Sequence, residues 1–262
     1  MTYVEQRGEI EILTLDRAES LNAMSPELAD EISAYFTGLS MRREVRVVLI
    51  RAEGRAFCAG GDLNSQAFAS PGDGRAQRQY EIQVRYANVV RSMRNCPQPI
   101  IALVQGPAAG AGFSFTLACD VRYATPQAKF NAAYIRIGVG GTDMGSGYFL
   151  PKIVGHAIAT EYMMTGRFIS AERAREIGLV SEIVEPDQLL NKGLELADDM
   201  LKTSPLGLRM TKETINLQAQ IGSLEAALAL EDRQQILLME TADHREAVAA
   251  FKEKRRPKYN YT

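Results

Sequence analysis

The stretch Glu9–Leu15 (E-I-E-I-L-T-L) alternates polar and apolar residues with the period of two that marks a half-buried strand. Ser25-Pro26 then supplies a helix cap followed by proline in the first turn, and Leu28, Ile32, Tyr35, Phe36 and Leu39 fall on one helical face. A continuous apolar strand is predicted at Val45–Ile50, a helix over Tyr80–Met93, a second buried strand at Pro99–Val104 and another at Asp120–Tyr123, after Phe113–Cys119. This strand, helix, strand rhythm predicts an α/β core. Past Pro151 the pattern turns helical: Ile153–Thr165 reads as one helix, and Ser170 caps Ala171–Ile177 with Gly178 at its end. Further helices are predicted over Asp187–Leu201, Ser204–Gln218, Ser223–Met239 and Asp243–Lys254, the last with Asp243 and Glu246 spaced for a capping box. The expected organisation is a core over 1–195 and a C-terminal helical region over 196–262.

A chain of 262 residues, 46% apolar and 24% charged, buries a sizeable core and is not disordered. Its formal charge of −2 lacks the basic face that nucleic acid requires. The one like-charge run, Lys252–Lys258, suits a solvated helix end or a phosphorylated ligand. Cys58, Cys96 and Cys119 are too scattered for a disulfide framework or zinc site, and the two histidines, His156 and His244, sit beside no nucleophile. No stretch has the length and apolarity of a signal or membrane span, so a soluble, cytoplasmic protein without a membrane or metal partner is expected.

Two small-residue segments follow the buried strands: A-F-C-A-G-G-D-L at Ala56–Leu63 and G-P-A-A-G-A-G-F-S at Gly106–Ser114. Either alone reads as ordinary turn punctuation, and neither has the spacing of a phosphate loop or dinucleotide fingerprint. Together they suit a pair of turns whose free backbone N–H groups converge on one carbonyl oxygen, an oxyanion hole. The polar segment Ser65–Arg78, with P-G-D-G at Pro71–Gly74, reads as a loop beside the first turn, either a lid or plain surface.

These segments, with L-D-R-A-E-S-L-N-A-M at Leu15–Met24, A-C-D at Ala118–Asp120, M-T-G-R at Met164–Arg167, A-R-E-I-G-L-V at Ala174–Val180 and R-E-A-V-A-A-F-K-E-K-R at Arg245–Arg255, resemble the crotonase superfamily, the enoyl-CoA hydratase/isomerase family. The resemblance covers nearly the whole chain. It implies an α/β fold, a crotonase-like spiral of ββα units with a C-terminal helical trimerisation region, in a homotrimer or dimer of trimers. It also implies an acyl-CoA thioester substrate, as in fatty acid metabolism, with CoA carried on the substrate and no separate cofactor. By motif match the oxyanion donors are the N–H groups of Ala59 and Ala111. Gly60, Gly61 and Asp62 match the CoA-contacting turn; Ala56, Leu63, Gly110 and Ser114 join the substrate contacts, and Arg17 or Arg55 faces the nucleotide phosphates. Asp62 equally suits a turn cap.

The chain departs from the family at its acids. Where typical hydratases carry two glutamates, this sequence has Ser114 and Tyr134, neither of which ionises near pH 7. Tyr134 either bonds substrate or sits in the core with a satisfied hydroxyl. Asp143, in G-V-G-G-T-D-M-G-S-G at Gly138–Gly147, matches the aspartate of dienoyl-CoA isomerases, epoxyphenylacetyl-CoA isomerases and halobenzoyl-CoA dehalogenases in the superfamily; the upstream histidine of the dehalogenases is missing. Its alternative is an N-cap or Asx turn opening the next helix. The resulting expectation is double-bond isomerisation in an enoyl-CoA with Asp143 as single acid/base. Hydration with Asp143 as base, thioester hydrolysis, carbon–carbon bond cleavage, and a CoA-ester-binding subunit without turnover are the alternatives.

Overall fold

The computed structural model describes residues 1–65 and 75–261. Its main sheet has six strands, ordered β1 (Thr2–Arg7), β2 (Ile10–Leu15), β3 (Val47–Ala52), β4 (Ile100–Val104), β6 (Val121–Ala124) and β9 (Glu182–Ile183). β1 and β2 are antiparallel and every later pairing in this sheet is parallel. A smaller sheet joins β5 (Ala108–Ala109), β7 (Lys129–Asn131) and β8 (Ile169–Ser170).

Alternation along the strands divides the apolar residues between two layers. Leu13, Leu15, Val48, Ile50, Ala102 and Val104 face α1 (Pro26–Leu39) and α2 (Arg75–Asn95). Ile12, Val47, Leu49, Ile101 and Leu103 face α7 (Leu189–Leu201). Gly193 of α7 lets the helix lie close, since a Cβ there would stand 2.8 Å from Leu103 Cδ2 and oblige that side chain to shift. The expected boundary at 195/196 thus falls inside a helix that covers the sheet. The same cover explains why β2 is buried along its whole length and not on one face. Its polar Glu11 is accommodated by Arg42, at 2.6 Å, and by the Tyr35 hydroxyl.

Ser25, Ser170, Ser204 and Ser223 cap α1, α6 (Ala171–Glu176), α8 (Pro205–Gln218) and α9 (Leu224–Met239), each accepting a backbone N–H of the first turn. The helix expected over Ile153–Thr165 is instead two, α4 (Ser146–Val154) and α5 (His156–Thr165), because Gly155 at φ +84° breaks the ladder. α10 (Ala242–Glu253) is capped by Thr241, not by a box at Asp243. Asp243 is buried and accepts the N–H groups of Asn260 and Tyr261, while Glu246 pairs with Arg255. Within the basic run, Arg255 and Arg256 pair with Glu246 and Asp198 of the chain itself.

Most of the Ser65–Arg78 loop lies outside the described residues, and from Arg75 onward the chain is already in α2. α3 spans Ala111–Leu117, directly after β5. Among the described residues no helix is long and apolar enough to cross a membrane. All three cysteines are buried and unpaired.

Candidate active site

The two small-residue segments lie against each other. Cys58 bridges Ala108 in parallel register: the Cys58 N–H donates to the Pro107 carbonyl (3.1 Å) and the Ala109 N–H to the Cys58 carbonyl (2.9 Å). This approach demands glycine. A Cβ on Gly112 would sit 2.2 Å from the Cys58 carbonyl oxygen, and one on Gly106 2.2 Å from that of Arg55. Gly60, at φ +111°, lies against Ala109 and the Ala111 nitrogen, so the first turn ends where α3 begins.

The register decides which N–H groups are available. Ala59 was the donor expected in the first segment, but its N–H already donates to the Leu21 carbonyl at 3.0 Å, and an engaged donor cannot also hold a ligand. Gly61 bridges Met24 in parallel: Met24 N–H donates to Gly60 (2.7 Å) and Asp62 N–H to Met24 (2.9 Å). That pattern turns the Gly61 N–H away from Met24. Neither Gly61 nor Ala111 donates its N–H within the described residues, and both line a cavity of about 470 Å³.

The same cavity is lined by Ala59, Gly60, Leu63 and Gly110 of the two segments, and by Tyr134, Met144 and Asp143. α2 contributes Gln79, Gln83 and Tyr86, which share a helical face. The sequence reading passed over these three, although their spacing of four and three is the signal that unites them. Asp143 supplies the only carboxylate among the described lining residues, and no lysine, arginine or histidine joins it. It does not cap α4, whose cap residue is Gly145. Its backbone is fixed by Ser146, which donates its N–H to the Asp143 carbonyl (2.9 Å) and accepts the Asp143 N–H on Oγ (3.0 Å). Burial raises the Asp143 carboxyl above the ordinary aspartate range, partly offset by hydrogen bonds from the Met144 N–H and the Gln83 amide.

Ser114 and Tyr134, the residues at the glutamate positions, are buried and hydrogen-bond each other. The Ser114 hydroxyl also reaches the Asp143 carbonyl (2.8 Å) and the Tyr134 hydroxyl the Gly110 carbonyl (2.6 Å). With one proton on each hydroxyl, two of these three contacts are hydrogen bonds at any moment, and the pair forms a neutral brace at the cavity wall. Burial pushes the Tyr134 phenol far above its ordinary range. Ser114 does not reach the cavity lining. The Cys58 thiol, raised by burial to about 11, is not a nucleophile at neutral pH.

The other expected contacts separate. Arg17 pairs with Asp62 at 3.2 Å, and both line an adjoining hollow of about 750 Å³ that shares Gln79 with the cavity. Arg55 is exposed and belongs to neither wall. Ala56 is buried, its carbonyl accepting from Asn22 (2.9 Å) and Gln105 (3.1 Å), which is a structural role. Among the described residues no group of three His, Cys, Asp or Glu is disposed to hold a metal.

Comparison with known proteins shows the family. Residues 5–262 match the family model described as enoyl-CoA hydratase/isomerase. The chain is 36% identical over 254 residues to "Probable enoyl-CoA hydratase EchA12" of Mycobacterium tuberculosis H37Rv, covering 96% of this chain and 89% of that protein. It is 33% identical over 247 residues to the 1,2-epoxyphenylacetyl-CoA isomerase of Escherichia coli K12, covering 94% and 93%. The crystal structure of an enoyl-CoA hydratase from Bacillus anthracis superposes with a TM-score of 0.94 at 30% identity, covering 100% of this chain and 99% of that one. With the same α/β crotonase fold and a match along nearly its full length, the chain belongs to the enoyl-CoA hydratase/isomerase family of acyl-CoA enzymes.

Proposed function

We propose that this acyl-CoA enzyme shifts the double bond of an enoyl-CoA, with Asp143 as its single acid/base. The observation that carries the reading is the inventory of the cavity among the described residues: one carboxylate, and a neutral serine–tyrosine brace where two glutamates would hold water. The thioester oxygen sits between the N–H groups of Gly61 and Ala111, which stabilise the enolate as its charge develops, a contribution of roughly 10²–10³ in rate per donor. Asp143 removes an acidified proton and returns it to another carbon. Its raised pKa suits that task, since a base nearer the working pH transfers protons in both directions.

CoA enters along the hollow where Arg17 and Asp62 lie. The apolar walls from Leu63, Ile137, Val139 and Met144, with no cation among the described lining residues, favour an uncharged acyl group. The family's trimer is supported by exposed apolar side chains on the last helices, Leu224, Ile236 and Phe251 being 72%, 63% and 86% exposed.

The test is to supply paired 2-enoyl- and 3-enoyl-CoA esters and follow double-bond position and water incorporation, for the native chain and Asp143→Asn. Isomerisation without water incorporation, reduced about 10²–10⁴-fold in the variant, is expected. Full activity in Asp143→Asn refutes the reading, and Asp143-dependent water addition replaces isomerisation by hydration.

A further inference from the structure

The two oxygens of Asp143 are not equivalent. Oδ1 accepts the Met144 N–H at 2.7 Å and also the side-chain amide of Gln83, sixty positions earlier in the chain. Oδ2 accepts no hydrogen bond from the described residues. The main chain of Asp143 is already held on both sides by Ser146 and Ser114, so the remaining freedom is rotation of the carboxylate itself. Among the described residues, Gln83 is the one side chain that restrains it.

We propose that Gln83 is a positioning residue: it anchors Oδ1 so that Oδ2 alone is presented to the cavity as the proton-transferring atom. This rests on the reading of Asp143 as the acid/base. The physical reason is twofold. A free carboxylate rotates, and either oxygen then meets the substrate in poorly aligned poses; an anchored one keeps a single lone pair in reach. The same bond favours the ionised form of a partly desolvated group. The Met144 N–H does the same from the backbone, so Gln83 is the second such donor to this carboxylate. Among the described residues, the other titratable groups on the cavity wall are the phenols of Tyr86 on α2 and Tyr134 on the 3-10 turn Ala133–Ile137, both neutral and both raised by burial. Gln83 is itself exposed on α2, so it can be replaced without opening the core.

Three variants test the inference: Gln83→Leu, which removes the donor, Gln83→Glu, which sets a like charge against Oδ1, and Asp143→Asn as the reference. With an enoyl-CoA substrate, Gln83→Leu should lower kcat by about tenfold with little change in KM. The acid limb of the kcat profile should move to higher pH, and further in Gln83→Glu. Difference infrared titration of the protonated carboxyl, against Asp143→Asn, should show the same displacement without substrate. Unchanged midpoints in both Gln83 variants, with Asp143→Asn inactive, overturn the role of Gln83 alone. Full activity in Asp143→Asn removes the reading of Asp143 and with it the purpose of the anchor, while the infrared titration still reads the contact itself.

Discussion

Replacing Gly112 by alanine tests whether the contact between the two turns builds the site. The new Cβ would stand 2.2 Å from the Cys58 carbonyl oxygen, 2.7 Å from Cys58 Cβ and 2.9 Å from its carbonyl carbon. A carbon–oxygen contact needs about 3.3 Å, so the turns must part by roughly 1 Å. Neither side yields easily: the Cys58 carbonyl is bonded to the Ala109 N–H, and Cys58 and Gly112 are both buried. Overpacking of this kind costs about 2–3 kcal/mol, a fall of roughly 5–10 °C in Tm by differential scanning calorimetry. Because Ala111 precedes Gly112 and Gly61 closes the first turn, the separation also spreads the two free N–H groups, lowering kcat by about 10²-fold. Gly38→Ala is the control. That glycine lies inside α1 with nothing within 4 Å of its Cβ position, so the same added methyl should stabilise by about 0.5–1 kcal/mol. A Gly112→Ala protein with native Tm and turnover would refute the account of how the turns are held.

Three further outcomes follow from the hydrogen bonding and titration of the site. Burial raises the folded-state pKa of Asp143 above its unfolded value, so this group's contribution to stability falls as pH climbs from the ordinary carboxylate range through the raised value and stays reduced above it. Asp143→Asn should therefore melt higher than the native chain at pH 7, with the gap closing below about pH 4, in melts across pH. Asn22 is fully buried at φ +55° and pairs the Arg17 N–H and the Glu53 and Ala56 carbonyls; Asn22→Ala should cost about 2–4 kcal/mol in urea unfolding. Tyr134→Phe removes the hydroxyl that reaches the Gly110 carbonyl, and should cost about 1–2 kcal/mol in the same assay.

The elements were legible in the sequence because their signals are local. Apolar spacing on α1, the serines that cap α1, α6, α8 and α9, and the buried strands β3 and β4 all rest on residues within a few positions of one another. So did the family, through motifs read along the chain, and the presence of Ser114 and Tyr134 where the resemblance implies two glutamates. The burial of both faces of β2 was not legible, because the covering helix α7 arrives from far along the chain. The break at Gly155 required a backbone angle that glycine permits without announcing.

At the site the division is sharper. The sequence by itself placed the two small-residue turns, Asp143 and the absence of a nucleophile–histidine pair. Only the tertiary structure assigned the protons. Ala59 and Gly61 are both small-turn residues two positions apart, yet Leu21 engages the N–H of one while the bridge to Met24 leaves the other open. Likewise, Gln83 and Met144 converge on one oxygen of Asp143 and leave its twin without a hydrogen bond from the described residues. A hydrogen bond forms with whatever the fold brings within about 3 Å, and that distance is unrelated to separation along the chain. Residue type therefore fixed which chemistry the site holds, and long-range pairing fixed which atoms remain free to perform it.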